Sequence, residues 1–158
     1  MKVNTKVFGE IEIADDRIIS MDNGIIGFPD LKQFAIVHNS EREDASVAWF
    51  VSLDEPAFAL PVINPLVVCT EYNPEVDDDL LKPLGEFDED SMLVLVTMTI
   101  PQGRIEEMTV NLKAPIVINA KNRKGCQIIL ESEDYKIKYP IYDTLKKLKE
   151  ESQAAAGE

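Results

Sequence analysis

Few residues in this chain are of a type that does chemistry, and their spacing is poor for it. His38 is the single histidine; it closes the strand-like run Phe34-Ala35-Ile36-Val37-His38, with nothing nearby in sequence to orient an imidazole. A nucleophile needs an adjacent base, and none of the patterns GxSxG, HExxH or GxxxxGKS/T occurs. Cys69 and Cys126 stand 57 positions apart in apolar runs and read as reduced core thiols. With only His38 to add, they fall short of the roughly four Cys or His ligands that zinc takes. Carboxylates are plentiful, but Asp77-Asp78-Asp79 and Asp88-Glu89-Asp90 lack the alternate spacing, glycine and distal Glu of a calcium loop. The expectation is therefore a protein with no catalytic residue, no metal and no cofactor.

What remains is chemistry between proteins. The formal net charge is −13, which repels nucleic acid and anionic membranes, so direct binding to either is not expected. The excess is local: residues 41–90 carry fourteen acids against Arg42 and Lys82, a net −12, whereas residues 121–149 carry eight bases and four acids, a net +4. Asp77, Asp78, Asp79, Asp88, Glu89 and Asp90 are the candidate acidic docking surface for a basic partner; the bland alternative is a solvated face that serves solubility. The second candidate is Gly24-Ile25-Ile26-Gly27-Phe28. It reads either as a tight turn with Ile25 and Phe28 tucked inward, or as an apolar anchor of the kind that interfaces use, made of Ile25, Ile26 and Phe28.

The elements that must position these residues are mostly strands. Residues 3–7 and 10–13 form an opening hairpin, and 17–21, 34–38, 47–53, 58–63, 66–70, 92–100, 108–112, 115–119 and 126–130 are short apolar runs bounded by Asn, Asp, Gly and Pro. Pro61 inside one of them points to an edge or a bulge. The run 92–100 is the longest and reads as central and buried. Pro74 with the acids after it, and Gly85 beyond, predict a short helix over 74–85, and residues 144–151 are helix-prone. The pattern predicts an all-β barrel or sandwich with one or two short helices. Residues 1–142 are expected to be one domain, and 143–158 a helical, partly mobile tail. No signal-peptide run and no stretch near 18 apolar residues occurs, so a cytoplasmic protein is expected.

Several segments, in order, resemble the flagellar assembly factor FliW family. They are Val3-Asn4-Thr5-Lys6-Val7-Phe8-Gly9-Glu10-Ile11, Asn23-Gly24-Ile25-Ile26-Gly27-Phe28-Pro29-Asp30-Leu31, Ala59-Leu60-Pro61-Val62-Ile63-Asn64-Pro65, the stretch from Thr109 to Asn119, Arg123-Lys124-Gly125 with Gln127, and Tyr139-Pro140-Ile141. The chain departs from the family pattern at Ile26, where proline is frequent, and at Cys126; residues after Asp143 have no firm counterpart. The resemblance implies a compact β-barrel-like fold and a role that couples flagellin supply to translation. FliW-like proteins bind the translational repressor CsrA and keep it from the flagellin message, and free flagellin competes for them. The expected partners are thus flagellin and CsrA, met by a monomer. A small-molecule-binding β-barrel without catalysis is the competing class, and an enzyme working through scattered carboxylates has no motif behind it.

Overall fold

The computed structural model describes residues 2–5, 9–22, 24–38, 47–55, 58–69, 71–72, 78–85, 91–101, 103–130 and 135–147. Its strands are β1 (Lys2–Thr5), β2 (Gly9–Glu12), β3 (Ile19–Ser20), β4 (Gln33–His38), β5 (Val47–Ser52) and β6 (Ala59–Ile63) in the first half. In the second half come β7 (Met92–Thr99), β8 (Thr109–Val110), β9 (Ile116–Asn119), β10 (Lys124–Gln127) and β11 (Tyr139–Pro140). Seven of them close a barrel in the order β3, β4, β5, β6, β7, β9, β10, and back to β3. The closing contact is parallel and minimal: Lys124 pairs with Ser20, and the Ser20 amide donates to the Arg123 carbonyl at 2.8 Å.

β7 is the hub of the sheet. Its first half pairs with β9, its middle with Val62 and Ile63 of β6, and its end with β8, so β8 and β9 run along it as one bent strand. Because β6 meets β7 only through its last two residues, Pro61 sits in the half of β6 that is open on that side. A missing amide is tolerated there. The run 92–100 is central as expected but not uniformly buried, since Leu93 is exposed.

Side chains alternate between an inner core and two outer ones. Phe34, Phe50, Val62, Leu95, Ile116 and Ile118 point into the barrel together with Ile19, Met21 and Ile25. Phe34 and Phe50 stack with ring centroids 4.4 Å apart. The next residues along the same strands point outward and are covered too. Ala35 packs with Val3, Ile13 and Leu53 under the β1–β2 hairpin, while Ile63, Val96, Val117 and Cys126 pack with Val68, Tyr72, Leu84 and Ile141. Burial on both faces is why these strands read as continuous apolar runs rather than as clean alternation.

Two local expectations are corrected. The run 66–70 is not a strand: Pro65–Val68 is one turn of α-helix, α1, whose start Asn64 caps by accepting the Leu66 amide at 3.0 Å on Oδ1, with Pro65 already at helical φ. Cys69 accordingly ends a helix and is half-buried, while Cys126 is buried in β10; both thiols are free. In the predicted helix over 74–85, Asp78–Leu84 form 3-10 turns rather than an α-helix, and Gly85 follows at φ +73°. The part of that prediction at 74–77 lies outside the described residues. Residues 142–147 are helical, and Leu145 packs against the core. β11 was not anticipated, its two residues being too few to show a period.

The buried polar groups are spent on anchoring. Asn119, fully buried, donates from Nδ2 to the Leu84 carbonyl at 3.0 Å and accepts the Lys121 amide; Asn122 donates to the same carbonyl at 2.7 Å. The Tyr72 hydroxyl donates to the Leu112 carbonyl at 2.6 Å, edge-on to Tyr135. Burial, with Tyr135 and Cys69 as lesser causes, raises its pKa beyond the ordinary tyrosine range. A raised folded-state pKa stabilises fully below the unfolded value and is lost as pH climbs past it. Stability to urea should therefore fall as pH rises above about 10. Tyr72→Phe should cost about 1 kcal/mol at pH 8 and flatten that fall, as read from urea titrations between pH 8 and 11.

Candidate functional site

The loop between β3 and β4 closes one mouth of the barrel, and its shape follows from two glycines. The Met21 amide donates to the Lys32 carbonyl at 2.8 Å, and the Gly24 amide donates back to Met21 at 2.9 Å, which pinches the loop at its base. Asp54 adds a second clamp, its Oδ2 accepting the Lys32 and Gln33 amides at 2.7 and 2.9 Å. At the tip, the Phe28 amide donates to the Ile25 carbonyl at 2.8 Å, and Gly27 has φ +87°. Ile25-Ile26-Gly27-Phe28 is thus a type II turn, which needs a positive φ at its third position. Gly24 is fixed more tightly still, with φ +64° and space for a Cβ only 2.4 Å from the Phe28 carbonyl oxygen.

This turn separates the three apolar candidates. Ile25 is 5% exposed and packs inside the barrel with Met21 and Phe34, so it seats the loop rather than offering surface. Ile26 and Phe28 stand outside at 50% and 46% exposure. The Phe28 ring leans on Phe58 with centroids 4.5 Å apart, and Ile26 donates its amide to Gln127 Oε1 at 2.8 Å. Two residues past Gln127, just beyond the end of β10, stands Ile129, 61% exposed. Ile26 and Phe28, with Phe58 against the Phe28 ring, make an exposed apolar pair on a braced turn.

Phe58, Gln127 and Ile129 were missed as site residues by sequence reasoning. Cys126, Ile128 and Leu130 are buried in the outer core, and Ile129 between them is exposed; the unbroken apolar run Ile128-Ile129-Leu130 carries no signal that singles it out. Nothing local marks Phe58 or Gln127, whose partners lie 30 and 101 positions away.

Of the acidic candidates, Asp79 is exposed and pairs with Lys82 at 3.0 Å in open solvent. Asp78 opens the 3-10 segment. The side chain of Asp78, and Asp77, Asp88, Glu89 and Asp90 altogether, lie outside the described residues, as does the His38 side chain. Between the two acidic runs Leu84 is fully buried, and the asparagine clamp on its carbonyl ties residues 78–85 to the β9–β10 turn. That turn carries exposed Lys121, Arg123 and Lys124. Among the described residues no group of three His, Cys, Asp or Glu could hold a metal. Burial raises the pKa of the Cys126 thiol, which keeps it neutral.

The fold and this surface define a small β-barrel protein whose interior is filled by its own side chains. Its relatives give the rest. The family described as FliW protein matches residues 2–141, and the chain belongs to that family. It is 47% identical over 149 residues to a flagellar assembly factor FliW of Lachnospira eligens, covering 93% of this chain and 98% of that one. A flagellar assembly factor FliW of Thermotoga neapolitana is 40% identical over 149 residues, covering 94% and 98%. A solved structure, described as the crystal structure of the flagellar assembly factor FliW, matches with a TM-score of 0.81 at 32% identity, covering 90% of this chain and 97% of that chain. These relatives are named as assembly factors rather than as enzymes. No helix among the described residues is long and apolar enough to cross a membrane.

The loop geometry makes a graded prediction. Gly24→Ala drives a Cβ into backbone and should destabilise the fold by about 1–3 kcal/mol, whereas Gly27→Ala meets no neighbour and should cost about 1 kcal/mol from φ alone. Urea unfolding of the two variants checks the order.

Proposed function

We propose that this chain is a cytoplasmic, non-catalytic holding protein that binds flagellin and antagonises the translational repressor CsrA, relieving repression of flagellin translation. The unit that does this is residues 1–142, acting as a monomer, with 143–158 as an appended tail. The observation that carries the reading is the pair Ile26 and Phe28, large apolar side chains half in solvent on a turn held at base and tip. Apolar surface costs solubility, and a stiff presentation lowers the ordering cost of a complex. An amphipathic helix, such as a flagellin terminus would offer, suits it through the helix-in-groove mode.

The second contact is electrostatic. A repressor that binds RNA carries positive surface, and the −12 excess of residues 41–90 docked beside it would lower RNA affinity by repulsion without occupying the RNA site. The competing small-molecule reading needs a lumen. Met21, Phe34, Phe50, Val62 and Ile116, fully buried inside the barrel, occupy the space such a ligand would need.

Two titrations test this function. Ile26→Ser with Phe28→Ser should weaken flagellin binding about tenfold or more in calorimetry while leaving urea stability near that of the parent. Neutralising Asp77, Asp78, Asp79, Asp88, Glu89 and Asp90 together should leave flagellin binding intact and abolish release of CsrA from RNA. Unchanged release would exclude the electrostatic account, and indifference to both proteins at micromolar concentration would end the reading as a whole.

A further inference from the structure

We infer that Gln127 is the positioning residue of the contact loop: one carboxamide ties the Ile26–Phe28 turn to the barrel wall and holds both apolar side chains in their binding pose. The inference rests on the reading of that loop as the flagellin contact. Ile26 occupies the second position of a type II turn, where proline is favoured because its ring presets φ and its lack of an amide leaves nothing unpaired. Isoleucine supplies neither advantage. Its amide points away from the turn's own hydrogen bond, and Gln127 Oε1 accepts it at 2.8 Å across 101 residues of sequence. The other half of the same carboxamide, Nε2, donates at 3.1 Å to the Ala114 carbonyl in the bend between β8 and β9.

Three segments distant in sequence therefore meet on one side chain: the loop, β10 and the β8–β9 bend. Only a group that accepts on one atom and donates on the other satisfies both contacts, so asparagine is too short and lysine has no acceptor. The remaining attachments of the loop are at its base, through Met21, Lys32 and Asp54, through Ile25 inside the barrel, and through the Phe28 ring on Phe58. The outer side of the turn, where Ile26 projects, has Gln127 as its brace. Loss of the brace frees that side to move, and a partner must then order it on binding.

The test uses the full chain as parent, Gln127→Ala, Gln127→Glu and Phe28→Ser, with three readouts: melting temperature, exchange of the Ile26 amide by NMR, and affinity for flagellin by calorimetry. Gln127→Ala is expected to speed Ile26 exchange about tenfold and to weaken flagellin about three- to tenfold, with a melting temperature close to the parent's. Gln127→Glu keeps an acceptor for Ile26 but sets a carboxylate oxygen against the Ala114 carbonyl, so it should restore only part of the slow exchange and of the affinity; even that partial rescue is what a generally destabilised barrel would not give. Full affinity in Gln127→Ala beside lost affinity in Phe28→Ser overturns the role of Gln127 and leaves the loop reading standing. Full affinity in every variant, Phe28→Ser included, overturns the loop reading and this inference with it. Unchanged Ile26 exchange in Gln127→Ala overturns the inference whatever the affinity.

Discussion

The side chains that fill the barrel, with Phe34 and Phe50 stacked at 4.4 Å among Met21, Ile25, Val62, Leu95 and Ile116, set the register of every strand around them. A slip of one residue would exchange the inner set for the outer one. Here both sets are apolar, so hydrophobicity alone does not forbid the slip; shape does. On β4 the inner position holds Phe34, stacked on Phe50, while the outer Ala35 is small enough to pack with Val3 and Ile13 at the β1–β2 hairpin. Gly125 shows the same constraint from another side, since a Cβ there would lie 2.6 Å from the Met21 sulfur inside the barrel.

The Gly24–Phe28 loop is a consequence of that filling. Ile25 completes the inner core at one mouth, and the pinch at Gly24 forces the chain to turn directly afterwards. Ile26 and Phe28 are then left outside by geometry, because a type II turn separates its first residue from its second. Core packing and the exposure of an apolar pair are thus joined in four consecutive residues. A change made to improve one acts on the other.

Charge is organised on a different principle. The exposed pairs Lys82–Asp79 and Arg104–Glu107 are each worth little to stability in open solvent. The Asp78–Leu84 turns are held instead by an uncharged device, Leu84 with its carbonyl accepting from Asn119 and Asn122. The clamp sets the Asp78–Leu84 turns against the basic β9–β10 turn.

The sequence by itself determined the strand-dominated class, the opening hairpin, the central place of the run 92–100 and the turn at the glycine-flanked loop; Pro61, read as an edge or a bulge, lies instead on an interior strand whose pairing to β7 stops short of it. Each of these is written in a local pattern: β-branched runs, turn residues, positive-φ glycines. It did not separate α1 from a strand, since Leu66-Val67-Val68 is apolar and β-branched and only the cap at Asn64 decides the matter. Nor did it tell Ile25 from Ile26. The two share a residue type and differ only in which side of a turn they occupy. Tertiary structure alone decided barrel closure through Lys124 and Ser20, the seating of Phe28 on Phe58, and the reach of Gln127 to Ile26. Those contacts join residues 30 to about 100 positions apart, and no local period or spacing encodes a meeting that the chain makes only once it has closed on itself.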